Sequence, residues 1–197
     1  MPEARVVSVN VGQPREVGFH SGFVLTGIFK APVAGPVRVN TLGLAGDAQA
    51  DLEVHGGVDK AVYCYPAEHY RYWAQELPDM ELTWGMFGEN LTIEGLNEES
   101  VRIGDQFRIG SAVLQVTQPR TPCYKLGIRF GRNDIIRRLW DSGRSGFYFS
   151  VLTEGDVSAG SRIERLVLAK DQASGRSVAL ARTRHAAEGA PPAALST

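Results

Sequence analysis

Short apolar runs, broken every few residues by glycine or proline, constrain this chain more than any other feature. Twenty-two glycines and ten prolines are scattered through 197 residues, a punctuation too dense for long helices and typical of strands joined by turns. Candidate strands cover 5–10, 15–19, 22–29, 37–42, 61–65, 90–93, 106–109, 112–117, 146–152 and 162–167. So many short strands predict a mainly β fold, a sandwich or barrel, with a few helices in a single domain. The stretch 107–116 reads as a hairpin, because Gly110-Ser111 between two alternating runs can supply the positive φ of a tight turn.

Two segments break the alternation with helical spacing. Over 66–77 the apolar stripe is Tyr70, Trp73, Ala74 and Leu77, with Pro66 in the first turn and Pro78 as the stop. Over 134–141 it is Ile135, Ile136, Leu139 and Trp140, with Asn133 as the expected N-cap and Gly143 past the end. Beyond Val167 the periodicity fades into Ala, Ser, Arg and Pro, so the domain is expected over 1–169, and 170–197 as a mobile or weakly helical tail.

Charge and cysteine usage narrow the function classes. Lys and Arg total 21 against 22 for Asp and Glu, which gives no global basic field for nucleic acid, and any anion site must be local. The two cysteines, Cys64 and Cys123, stand far apart, as expected of free thiols in a reducing compartment. No apolar run approaches the roughly 18 to 20 residues of a membrane span, and the chain opens on no leader pattern, so the expectation is a soluble cytoplasmic protein without a membrane partner.

Cys123 lies in Gln118-Pro119-Arg120-Thr121-Pro122-Cys123-Tyr124-Lys125-Leu126, directly after a strand, on backbone that two prolines stiffen. Flanking positive charge from Arg120 and Lys125 favours a thiolate, the form that acts as nucleophile or soft metal ligand. A buried small hydrophobe is the competing reading, since free cysteine is among the most buried residue types. Cys64, in Ala61-Val62-Tyr63-Cys64-Tyr65, has no such flank and reads as structural.

Three other polar turns stand out. They are Thr26-Gly27-Ile28-Phe29-Lys30 with Gly43-Leu44-Ala45-Gly46-Asp47; Val54-His55-Gly56-Gly57-Val58-Asp59-Lys60; and Phe87-Gly88-Glu89-Asn90-Leu91. Each has a structural alternative: His55 as a satisfied histidine, Asp47 or Asp59 as a turn former. No Walker or GxGxxG pattern occurs, and no CxxC or HxxxH spacing supports a zinc site.

Taken in order with Ile103-Gly104-Asp105 through Ile109-Gly110 and the Cys123 segment, these motifs resemble the MOSC domain family, named for the C-terminal domain of molybdenum cofactor sulfurases. The nearest branch is the bacterial stand-alone proteins related to the 6-hydroxylaminopurine resistance protein, and the resemblance covers Val6 to Leu166. It implies a β-barrel-like fold and a bound molybdenum cofactor, a molybdopterin, with Cys123 as the protein's sulfur ligand to the metal. It further implies Lys30, Arg120 and Lys125 as partners of the pterin phosphate or of the site's negative charge, and Thr26 and the Gly56 and Gly57 amides as hydrogen-bond donors. His55, Glu89 and Asn90 become candidates for substrate orientation or proton delivery. The implied activity is an oxidoreductase reducing N-hydroxylated small molecules such as hydroxylaminopurines, amidoximes and hydroxamates. Without an iron-sulfur cysteine cluster or flavin motif, its electrons are expected from a separate reductase. A non-redox cofactor carrier or persulfide module is the alternative, and a homodimer is compatible with either. Members of that branch commonly continue into a small C-terminal helical domain, where this sequence has only the Ala-rich stretch after Val167.

Overall fold

The period-two pattern resolves into one large sheet. The computed structural model describes residues 3–50 and 56–169. Among the described residues, the strands are β1 (Arg5–Val11), β2 (Arg15–Phe19), β3 (Gly22–Thr26), β4 (Ala31–Pro32), β5 (Val37–Asn40), β6 (Gly43–Leu44), β7 (Val62–Pro66), β8 (Leu91–Glu94), β9 (Gln106–Ile109), β10 (Ala112–Pro119), β11 (Phe147–Thr153), β12 (Gly155–Val157) and β13 (Ile163–Val167). The helices are α1 (Ala67–Glu76), α2 (Tyr124–Phe130) and α3 (Asp134–Ser142), with a single 3₁₀ turn at Val58–Lys60. The predicted tail over 170–197 lies outside the described residues.

The main sheet has the order β13-β9-β10-β11-β7-β8-β1-β4. All its pairs are antiparallel except β7 with β8, and a parallel pair needs a crossover, which here contains α1. The sheet curls until β1 meets the residues leading into β13. Val6 donates to the Ser161 carbonyl at 2.9 Å, Gly160 to Val6 at 2.8 Å and Ile163 to Ala4 at 2.8 Å. The fold is thus barrel-like, bridged at this seam rather than closed by a full ladder. A small sheet, β12-β5-β6, and the hairpin β2-β3 complete it.

Two cores result. Inside the curl, β10 buries Ala112, Leu114 and Val116, which pack with Val9, Leu91, Ile93, Phe107, Phe147 and Phe149. Outside it, the helices close an aromatic-rich layer of Tyr65, Tyr70, Trp73, Phe87, Leu126, Ile135 and Leu139. Tyr65 stacks on Phe87 with centroids 4.3 Å apart and accepts a 2.7 Å hydrogen bond from the Trp73 indole, so a buried N–H has its partner.

Most strand expectations are met within a few residues, and the Gly110 turn has the required positive φ of 60°. The structure adds β4, β6, β12 and α2. Helix α2 spans only seven residues with Gly127 inside it, too short to show a helical period. Asn133 does not cap α3: it is itself in the helical region and makes no side-chain capping bond. Asp134 in the first turn pairs with Arg132 at 2.6 Å.

Gly146 sits where β11 approaches β7. It has φ 71°, and an added Cβ would press on the Cys64 carbonyl oxygen and lie 2.8 Å from the Tyr63 ring, whereas Gly160, at φ 87°, has open space. Both alanine variants bear left-handed strain, but only Gly146→Ala adds overpacking. In urea unfolding, Gly146→Ala is expected to be about 1 to 3 kcal/mol less stable than Gly160→Ala. Equal midpoints would contradict this packing account.

Candidate functional site

A cleft of about 610 Å³, including the part open to solvent, forms where the ends of β3 and β10, the start of α2 and the segments flanking β6, β7 and β8 converge. Cys123 and Lys125 stand on its wall beside Arg120, Tyr63 and Tyr148, facing Thr26, Lys30, Asp47 and Asn90. Cys123 is the residue before α2, extended at φ −130° and ψ 167°, and makes no side-chain capping bond. It is half-exposed, whereas Cys64 is fully buried in β7, where burial pushes its thiol pKa well up. Cys64 is thus the buried cysteine and Cys123 the accessible one.

Behind Cys123 the cationic wall is anchored from the core side. Arg120 is only 7% exposed. Its Nη1 donates to the Phe87 carbonyl at 2.7 Å and to the Tyr63 hydroxyl at 3.1 Å, and the guanidinium lies 4.7 Å from the Tyr63 ring centre. Burial is the largest influence on this group and acts to lower its pKa, but Tyr63, Tyr148 and Cys123 together raise it. Arg120 therefore remains a cation.

Lys30 is buried and ion-paired with Asp47. Burial lowers its pKa, and Asp47 opposes that shift. Asp47 also accepts from the Gly12 amide at 2.9 Å and from Asn90 Nδ2 at 2.8 Å. The Asn90 side-chain Oδ1 in turn accepts from the Tyr63 amide at 3.1 Å. Lys30 and Asn90 line the cleft, yet much of their bonding capacity is spent on holding it open. The Thr26 hydroxyl oxygen accepts from the Ile28 amide at 3.2 Å. Lys125 lines the cleft and has no ion-pair partner among the described residues.

Two expectations need correction. Glu89 does not face the cleft. It is 0% exposed and accepts from the Tyr70 hydroxyl at 2.5 Å, the Gly85 amide at 2.8 Å, the Phe87 amide at 3.1 Å and the Thr92 hydroxyl at 2.8 Å. With no open path to a substrate, it is a structural acceptor rather than a proton donor. The Gly57 amide is taken by the Gln49 side-chain oxygen at 3.2 Å, and neither Gly56 nor Gly57 is among the described residues that line the cleft. His55 lies outside the described residues.

The sequence reading missed Tyr63 and Tyr148 as cleft residues. Both sit in strands between apolar neighbours, a pattern identical to that of core aromatics, and only the ring contact between them, at 5.1 Å, and their joint effect on Arg120 set them apart. Burial raises the pKa of both hydroxyls, so they stay protonated.

The MOSC domain model matches residues 51–164, more than half of the chain. The chain belongs to the MOSC family. It is 47% identical to YflK of Bacillus subtilis (strain 168) over 161 residues, which is 82% of this chain and 72% of that protein. It is 46% identical to YiiM of Escherichia coli (strain K12) over 139 residues, 70% of this chain and 62% of that one. A protein of Gibberella moniliformis named Reductase is 35% identical over 164 residues, 82% of this chain but 29% of its own length. The crystal structure of YiiM from Geobacillus stearothermophilus superposes with a TM-score of 0.77 at 35% identity, covering 92% of this chain and 85% of that one. Over the described residues this MOSC chain is thus a mainly β single domain with three helices.

If Glu89 is structural, Glu89→Gln should lower stability by roughly 3 kcal/mol, because an amide NH₂ now faces donors. Cys123→Ser should leave the melting temperature nearly unchanged. Calorimetry on the two variants decides, and a Glu89→Gln chain as stable as the parent would overturn the assignment.

Proposed function

We propose that the cleft binds a molybdenum cofactor, with Cys123 supplying a sulfur ligand, and that the protein reduces N-hydroxylated compounds with electrons from a separate reductase. The observation that carries this reading is the donor set. Among the described residues no group of three or more His, Cys, Asp or Glu side chains could hold a metal. A metal bound at Cys123 would bring its other ligands with it if it came as a dithiolene pterin. The lone half-exposed thiol suits a thiophilic metal, and the cations on the cleft wall suit an anionic pterin.

Arg120 and Lys125 would bias the cleft toward the anion, and the Tyr63 and Tyr148 rings would wall a planar group. The cofactor would supply a two-electron redox centre able to accept oxygen. For a hydroxylamine the reaction balances as R–NHOH plus two electrons and two protons giving R–NH₂ and water, with cleavage of the N–O bond. The Tyr148 hydroxyl, which keeps its proton, can orient the substrate by donating a hydrogen bond. With Glu89 sealed off, protons would arrive from solvent through the cleft mouth. The relative named Reductase is consistent with redox chemistry, though this chain spans only 29% of it.

The test uses full-length protein from a host that makes molybdenum cofactor, assayed for metal, pterin and turnover of a hydroxylaminopurine with a reduced viologen. Parent and Cys64→Ala should both carry molybdenum and turn over. Cys123→Ser should lose activity per bound molybdenum. Lys125→Gln should weaken pterin retention about tenfold, matching a charge-assisted hydrogen bond of about 1.4 kcal/mol or more, while activity per metal changes far less. Molybdenum-free parent protein, or equal losses in Cys64→Ala and Cys123→Ser, would refute the proposal.

A further inference from the structure

Lys30 and Arg120 have their charge or donors engaged inside the protein, but two other arginines beside the cleft do not. Arg15 on β2 lies with its guanidinium carbon 3.7 Å from the centre of the Phe29 ring. Arg129 on α2 lies 5.0 Å from the centre of the same ring. Neither makes a salt bridge among the described residues. The Nε of Arg129 is buried and has no hydrogen-bond partner, an arrangement rare enough in folded proteins to need an explanation. Burial lowers the pKa of Arg129, and Arg15 lowers it further. Two like charges are thus gathered on one ring without a salt bridge, and Tyr70 and the Glu89 carboxylate offset only part of the cost to Arg129.

The pair adjoins the cleft on both sides. Arg129 follows Lys125 by four residues on α2, so the two share a helix face, and Lys125 lines the cleft. Phe29 stands between Ile28 and Lys30, both cleft residues. Arg15 is paired across the hairpin with Thr26, another cleft residue.

We propose that Arg15 and Arg129, with Lys125 on the adjoining cleft wall, form a clamp for a phosphoryl group. Planar guanidinium groups recognise phosphate through paired N–H donors, and an anion beside the two guanidinium groups would relieve the repulsion between them. Two sources present that chemistry: the phosphate of a cofactor lodged in the cleft, or that of a phosphorylated substrate. The clamp stands on its own geometry; only the first source rests on the cofactor reading.

Full-length protein from a host unable to make molybdenum cofactor is titrated with inorganic phosphate by calorimetry at low salt. Phosphate should bind, and Arg15→Gln and Arg129→Gln should each weaken it tenfold or more. Arg129→Lys should recover part of the loss, and Arg137→Gln, at a side chain 89% exposed, should change nothing. Because Arg15 is exposed, Arg15→Gln should melt with the parent, which keeps the result independent of any folding defect in Arg129→Gln. No phosphate binding, or equal binding by parent, Arg15→Gln and Arg129→Gln, overturns the clamp whatever the cofactor content. A second titration uses protein from a cofactor-making host. Loss of phosphate binding there supports the clamp with the cofactor's phosphate as its occupant, and retained binding supports it with a phosphorylated substrate.

Discussion

A carboxylate removed from water governs the architecture around the cleft. Ionised Glu89 in the interior would cost several kcal/mol if unpaired. Its surroundings answer with two hydroxyls and two amides, although burial still raises its pKa. Meeting that demand fixes the turn from Gly85 to Asn90, and the turn aims the Phe87 carbonyl at Arg120. Through Thr92 the network runs on to Asn10 at 3.1 Å and Ser8 at 2.8 Å, tying β8 to β1. One buried group therefore couples the sheet, the aromatic layer under α1 and the cation behind Cys123.

Asp47 has the matching role on the opposite wall. It gathers Lys30, Gly12 and Asn90, and Asn90 holds the backbone of β7 beside Tyr63. Buried polar networks of this kind are rigid when every member is satisfied. The consequence is a preformed cleft whose walls are braced from behind, with a thiol and Lys125 left facing outward. Rigid walls with a few uncommitted groups are what a site needs if it is to orient a ligand without reorganising.

The strands, the Gly110 hairpin and α1 were legible because each leaves a period in the apolar residues. Helix α2 was not, since seven residues with an internal glycine display no period, and β4, β6 and β12 are too short to alternate. At the site, the flanking charges of Cys123 and the bland flank of Cys64 separated an accessible thiol from a buried one. The motif around Glu89 and Asn90 misled for a physical reason: a carboxylate beside an amide in a turn looks the same whether it faces a ligand or anchors the turn. Burial decides that, and burial of a polar side chain has no signature in one sequence. Arg15 and Arg129 were invisible for the converse reason, being 114 positions apart and brought together only by a phenylalanine between them.

The account depends on Cys123 as the protein's ligand to a metal in this cleft, and the most direct measurement of that bond is X-ray absorption at the molybdenum edge. Parent protein loaded with cofactor should show one more sulfur neighbour at the metal than Cys123→Ser, with Cys64→Ala matching the parent. An identical sulfur count in parent and Cys123→Ser would contradict the account.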